Sequence, residues 1–250
     1  MDGASRAWPE MRKLRHSRLK RSVKPAKVRA KTRRYFATVA NRWDRMREDF
    51  FDETVADSIV KESQVKPESI VVDVGCGTGF LTQRFATQLQ GRRKVIGVDL
   101  SPSMLQMSKD NLSRLGLLGF AEFRVGDAEK IPIEDDFADA VVGNMILHHC
   151  PKPKRAISEM SRILKPGGRL AFADLEKHNE RWLRDEMSDW WLGFELTKVE
   201  KWLEDAGLED VKVELARTKC CGISLRGRKA EIGIFIASGS KPARIGIRDG

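Results

Sequence analysis

The run Ser69-Ile70-Val71-Val72-Asp73-Val74-Gly75-Cys76-Gly77-Thr78-Gly79-Phe80 decides how this chain is read. A β-branched stretch from Ile70 to Val74 predicts a buried strand, and three glycines at alternate positions follow it at once. Glycine has no Cβ, so the chain there turns sharply and a ligand approaches the backbone closely. Thr78 is placed to N-cap a helix from Phe80 to Gln90, whose first N–H groups would face that ligand. Strand, glycine turn and helix N-terminus together predict a nucleotide site.

Spacing narrows the choice of nucleotide. The dinucleotide fingerprint G-x-G-x-x-G is met by Gly75 and Gly77, but its third glycine falls on Phe80. The glycine stands one residue earlier, at Gly79, and Asp73 lies two residues before the first. A dehydrogenase is therefore disfavoured.

At 250 residues and 41% apolar content, the chain buries one good core with room for an appendage. No apolar run approaches the roughly 20 residues of a membrane span, and no secretory h-region precedes the first strand. The four cysteines (76, 150, 220 and 221) include no C-x-x-C pair, which argues against a structural zinc site or a disulfide framework. The expectation is a cytoplasmic protein. The net charge of +10 is concentrated in residues 1–34, which hold thirteen Lys/Arg against Asp2 and Glu10; residues 35–250 hold 33 basic and 34 acidic residues. Residues 1–34 are read as a basic arm, disordered or loosely helical in isolation, that contacts a polyanion, targets an organelle, or has no specific partner.

From Tyr35 to about Ser63, apolar residues recur at helical spacing and predict two amphipathic helices, with Trp43-Asp44 as a candidate lid. Past the glycine loop, Lys94 to Asp99 predicts a second strand ending in an acid, and Ser101-Pro102 caps a helix running to about Leu115. Asp99 stands 20 residues beyond Gly79, where a carboxylate accepts hydrogen bonds from ribose hydroxyls. Further strands are predicted at 121–125, 137–144 and 169–174, with a helix over 154–164 and a turn at Lys165-Pro166-Gly167-Gly168. A helix over 199–206 and a hairpin of 211–216 with 230–237 complete the pattern. Alternating strands and helices imply an α/β fold with a parallel sheet, whose ligand sits beyond the strands' carboxyl ends.

Several motifs arrive in order: Asp73 to Gly79, Gly97-Val98-Asp99-Leu100-Ser101, Gly126-Asp127-Ala128 with Ile131-Pro132, Asp139-Ala140-Val141, and Leu164 to Gly168. As a set they resemble the class I S-adenosylmethionine (SAM)-dependent methyltransferases of the small-molecule type 11 group, the kind that includes the ubiquinone/menaquinone-biosynthesis enzymes. The resemblance covers about Tyr35 to Ser240. It implies a Rossmann-like seven-stranded sheet of order 3-2-1-4-5-7-6 with strand 7 antiparallel, in one domain over 35–240, with helices at 35–64, the sheet core at 65–240 and a tail at 241–250.

The resemblance also assigns roles. Gly75, Gly77 and Gly79 would shape the turn around the methionine part of SAM, with Asp73 and Cys76 in the same loop. Asp99 would bind the ribose, and Leu100 and Met104 would flank the adenine. Asp127 and Ala128 would meet the adenine edge, and Asn144 and Met145 would line the methyl-donor side. For Cys76 a packed thiol is the simpler reading.

Methyl transfer from a sulfonium chiefly requires that acceptor and methyl be held in line. Where the acceptor must lose a proton, His148 is the candidate base, with His149 beside it; a histidine with no chemical role is the competing reading. Metal binding by His148, His149 and Cys150 is set aside, because adjacent residues rarely converge on one ion. The segment from Asp174 to Phe194 is expected to wall the pocket of a small-molecule methyl acceptor, with Trp190 and Trp191 as an aromatic platform or as core. Three alternatives stay open: a nucleic-acid methyltransferase using the arm, a SAM-binding regulator without catalysis, and a metalloid or thiol methyltransferase using Cys220-Cys221. That thiol pair is expected on a loop, in a hairpin turn on the side away from the cofactor.

Overall fold

The computed structural model describes residues 24–243. Most of the basic arm (1–23) and most of the tail (244–250), with the polyanion and targeting readings attached to the arm, lie outside the described residues. The boundary expected at 34/35 is corrected. A helix, α1, runs from Pro25 to Val39, with Pro25 at its first turn and Val28, Thr32, Tyr35 and Val39 on its buried face. After a 3-10 turn at Ala40–Arg42 come α2 (Trp43–Glu48) and α3 (Thr54–Ser63).

The sheet consists of β1 (Val71–Val74), β2 (Val95–Asp99), β3 (Ala121–Val125), β4 (Ala138–Asn144), β5 (Leu164–Leu175), β6 (Glu209–Ile223) and β7 (Lys229–Ser240). Their order is β3-β2-β1-β4-β5-β7-β6, with β7 antiparallel to both neighbours. The helices α4 (Phe80–Leu89), α5 (Pro102–Arg114), α6 (Pro153–Ile163), α7 (Trp182–Glu186) and α8 (Leu196–Asp205) fill the connections. Strand alternation sorts the core into two layers. Val71, Val142 and Ala171 join Val55, Ile59 and Phe85 on one face; Val72, Val141 and Phe172 join Ile157, Met160 and Leu203 on the other.

Three local readings change. Thr78 does not cap α4: Gly79 holds the cap position at φ +94°, and the Thr78 hydroxyl bonds Asp44 instead. The Lys165–Gly168 run is a bulge within β5 rather than a turn before it, since the ladder jumps from Ala138↔Leu164 to Ala140↔Arg169. A Cβ on Gly168 would stand 2.8–3.1 Å from three carbonyl oxygens, which is why the chain needs glycine there. Cys220 and Cys221 lie in β6 itself, paired with Ile232 and Glu231.

That last correction has two consequences. Because β6 runs parallel to β5, its far end and the hairpin turn lie at the carboxyl, cofactor-side edge, not away from it. The β6–β7 ladder continues to Ile223↔Lys229, past the last β5 pair at Leu175↔Ile234, and Cys221 N donates to Phe50 O at 2.8 Å. Strand alternation also turns the two thiols to opposite faces: Cys220 is half-buried against the core and Cys221 is exposed. A joint soft ligand from this pair is excluded by that geometry.

Candidate functional site

Elements β1, β2, β3 and β4 end along one edge, and the loops leaving them surround a cavity of about 1000 Å³, its solvent-filled mouth included. The glycine loop forms its floor. Gly75 N and Cys76 N both donate to Val98 O, at 2.7 and 3.1 Å, fastening the turn to β2. Gly75 has φ +73°, and a Cβ there would stand 2.6 Å from Ile146. Gly77 lines the cavity at φ +54°, whereas Gly79 stands outside it, pressed against Ser108 and Leu112 of α5. Cys76 is buried against Gly97, and burial raises its thiol well above the ordinary range, which suits a packed thiol.

Asp99 closes β2 into the cavity. Its Oδ2 accepts from Gly77 N at 3.0 Å and its Oδ1 from Ser101 N at 2.8 Å. A carboxylate has about four lone-pair sites, so each oxygen keeps capacity for another donor. Burial raises this carboxyl to about 6, against the lowering effect of those N–H groups. Asp73, one strand over and fully enclosed, is raised to about 7 by burial, though Thr82 donates to it at 2.7 Å. Leu100 and Met104 line the wall beyond Asp99; Asp127 and Ala128 face it from the loop after β3.

Asn144 and Met145 end β4 at the far side of the cavity. Met145 adopts φ +54°, an uncommon conformation for a side-chain-bearing residue, and Asn144 Oδ1 is buried without a hydrogen-bond partner among the described residues. The acceptor candidates beside them are divided differently from the sequence expectation. His149 lines the cavity; His148 lies behind it and does not. His148 Nδ1 donates to Asp174 Oδ1 at 2.7 Å, and burial of its charge is outweighed by Asp174 and Asp189, which raise it to about 9. His149 is pushed well down by burial and by His148. Trp190 and Trp191 do not line the cavity. Their backbone N–H groups donate to His148 O at 2.9 Å, and Trp191 Nε1 donates to Cys150 O, so they brace the histidine turn.

The N-terminal helices supply what the sequence motifs missed. Arg29, Thr32, Arg33 and Phe36 of α1 form one wall, and Arg29 is ion-paired with Asp127 and Glu129. Trp43 of α2 lines the cavity, while Asp44 accepts from Thr78 Oγ1 and from Asn111 Nδ2, locking α2 onto the glycine loop. Arg47, 8% exposed, stacks 3.9 Å over Phe80 and keeps an Nε unpartnered among the described residues. The only advance signal was the helical spacing of Tyr35, Phe36 and Trp43, which says that a face is buried but not against what.

The chemistry of these residues is compatible with SAM. A turn without Cβ atoms, a carboxylate with spare acceptor capacity at β2, an orphaned amide oxygen at β4 and a buried guanidinium with a free N–H match a ligand with ribose, amine and carboxylate groups.

Comparison with known proteins agrees. The family model described as a methyltransferase domain, type 11, matches residues 72–172. The ubiquinone/menaquinone biosynthesis C-methyltransferase of Ectopseudomonas mendocina (strain ymp) is 36% identical over 118 residues, 47% of this chain and 46% of that protein. The demethylmenaquinone methyltransferase of Symbiobacterium thermophilum is 29% identical over 155 residues, 62% of this chain and 58% of that protein. The chain thus spans about half the length of the curated relatives it matches. A SAM-dependent methyltransferase from Aquifex aeolicus superposes with a TM-score of 0.57 at 22% identity, covering 87% of this chain and 98% of that one, a likeness of fold.

Proposed function

We propose that the chain is a class I methyltransferase of the type 11 group and that it moves a methyl group from SAM to a small, largely apolar acceptor. The observation that carries this reading is the convergence of the Gly75–Gly77 turn, Asp99, Asp127 and Asn144 on one cavity. In this reading Asp99 takes the ribose hydroxyls, Asp127 and Ala128 the adenine edge, and the glycine turn the methionine moiety. Arg47 supplies a cation for its carboxylate. Bound SAM supplies an activated methyl on a sulfonium.

The protein's own part is positioning. Phe36, Trp43, Phe51, Phe80, Met145 and Ile146 give the same cavity apolar and aromatic walls, which favour an uncharged, ring-bearing acceptor and exclude water from it. His148, shielded by His149, is given no proton transfer with the acceptor here. Among the described residues no helix is long and apolar enough to cross a membrane.

The test is calorimetry with SAM and with NAD, followed by transfer of isotope-labelled methyl from SAM to a panel of quinols and phenols. SAM binding without NAD binding, and label on an acceptor, are expected. Failure of SAM to bind the folded protein overturns the proposal.

A further inference from the structure

Behind the cavity wall, polar side chains from two segments meet. The 3-10 turn Leu147–His149 supplies two imidazoles, with ring centroids 4.0 Å apart. The segment after α7 supplies Asp189, 5% exposed. Its Oδ1 lies 3.8 Å from His148 Nε2 and 3.9 Å from His149 Nδ1, too far for a hydrogen bond to either; the Nδ1 of His149 also faces Ser188 O at 3.4 Å, a contact that an ion would replace. The neighbouring Ser188 Oγ is buried without a partner among the described residues. A buried polar group left this way, beside an acid and two imidazoles, points to a ligand.

We propose that His148, His149 and Asp189 form a binding site for a transition-metal dication of the Zn²⁺ class. All three ligand atoms lie within 4.8 Å of one another. Tetrahedral zinc with bonds of about 2.0–2.2 Å holds its ligands ~3.4 Å apart, so the two separations from Asp189, 3.8 and 3.9 Å, need a closure of a few tenths of an ångström, while the two imidazole nitrogens, within 4.8 Å of each other, must also draw together. Two imidazoles and one carboxylate suit zinc and its neighbours rather than calcium or magnesium, which take oxygen ligands.

The surroundings are those of a metal histidine. Asp174 Oδ1 holds His148 Nδ1 at 2.7 Å, which fixes the ring and leaves Nε2 aimed at Asp189. Asp174 is itself fixed, its Oδ2 accepting from Leu147 N at 2.7 Å and its Oδ1 from Leu175 N at 2.7 Å. Adjacency of the histidines, which made convergence doubtful from sequence, is overcome because the tight turn tilts their rings toward one carboxylate. Three protein ligands leave a coordination position open, and His149 lines the cavity. An acceptor hydroxyl or thiol entering from the cavity is the class of ligand that position would take.

Untagged full-length protein is titrated with Co²⁺, whose visible absorption reports tetrahedral ligation, and with Zn²⁺ against a competing chelator. One ion per chain is expected in the wild type. Asp174→Asn should weaken binding ~10–100-fold by freeing the His148 ring, and Asp189→Asn or His149→Ala should weaken it further. Anomalous scattering from a Zn²⁺-soaked wild-type crystal gives a readout that needs no variant. An ion between His148, His149 and Asp189 supports the site. No ion there, or binding unchanged in both ligand variants, overturns it. Neither experiment uses the methyl donor, so failure here leaves the proposed transfer standing.

Discussion

Arg29 on α1 is ion-paired with Asp127 in the loop after β3, so the first helix is tied across the end of the cavity expected to hold adenine. The same guanidinium reaches Glu129, whose side chain is only 2% exposed and whose other oxygen accepts from Lys152 N at 2.7 Å. Removing Arg29 leaves a nearly buried carboxylate with one partner fewer. Arg29→Ala should therefore lower stability by about 1–3 kcal/mol, read as a shifted urea midpoint. An unmoved midpoint would show that the pair contributes nothing.

The placement of α1 makes two truncations differ. Deleting residues 1–24 keeps Arg29, Thr32 and Arg33 in the cavity wall, whereas deleting 1–34 removes them. Calorimetry should give an unchanged SAM Kd for the shorter deletion and roughly a tenfold weaker one, about 1.4 kcal/mol, for the longer. Equal affinities would separate α1 from cofactor binding.

Asp99 is the carboxylate on which the ribose assignment rests. Losing its charge-assisted hydrogen bonds costs about 1.5–3 kcal/mol, so Asp99→Ala should weaken SAM binding roughly 10- to 150-fold. Unchanged calorimetric affinity in a folded Asp99→Ala protein would remove Asp99 from the site.

Two glycines isolate what the cavity floor demands. Gly75 and Gly116 have nearly the same backbone, φ +73° and +71°, but a Cβ on Gly75 meets Ile146 at 2.6 Å and one on Gly116 meets nothing within 4 Å. Gly116→Ala should cost only the left-handed backbone term, ~1–2 kcal/mol. Gly75→Ala adds a steric conflict of ~1–3 kcal/mol and should abolish SAM binding. Equal unfolding free energies for the two variants would mean that Ile146 moves aside freely.

Asp73 gives a pH dependence of known sign. Burial raises its carboxyl to about 7 from the 3.8 of an exposed one. The folded chain therefore holds this proton more tightly than the unfolded chain. The resulting stability is complete below about pH 4 and is lost as pH rises through about 7. Asp73→Asn, which stays neutral, should be more stable than wild type at pH 8, with the difference vanishing by pH 4. A difference that is constant from pH 4 to pH 8 would contradict the raised value.

Most of the strands, and the loops that line the cavity, were legible in the sequence. Ile70 to Gly79, Lys94 to Asp99 and Gly126 to Ala128 are short segments whose strand and turn chemistry is local, and parallel βα units place all their carboxyl ends on one edge. Strand order and the antiparallel β7 were implied by the family resemblance, and the sheet has both; the bond from Gly77 N to Asp99 was seen only in the folded chain. What lay beyond it depends on distance across the fold rather than along the chain. The Arg29 pair joins residues about a hundred apart, and the charge that made Arg29 look like part of a solvated arm is the charge that docks it. The exchange of His148 for His149 at the cavity wall depends on which ring Asp174, twenty-six residues on, can hold. The facing of Cys220 and Cys221 depends on how far β7 carries β6 past the end of β5. Periodicity records that a side chain is buried; only the packed chain decides what it is buried against.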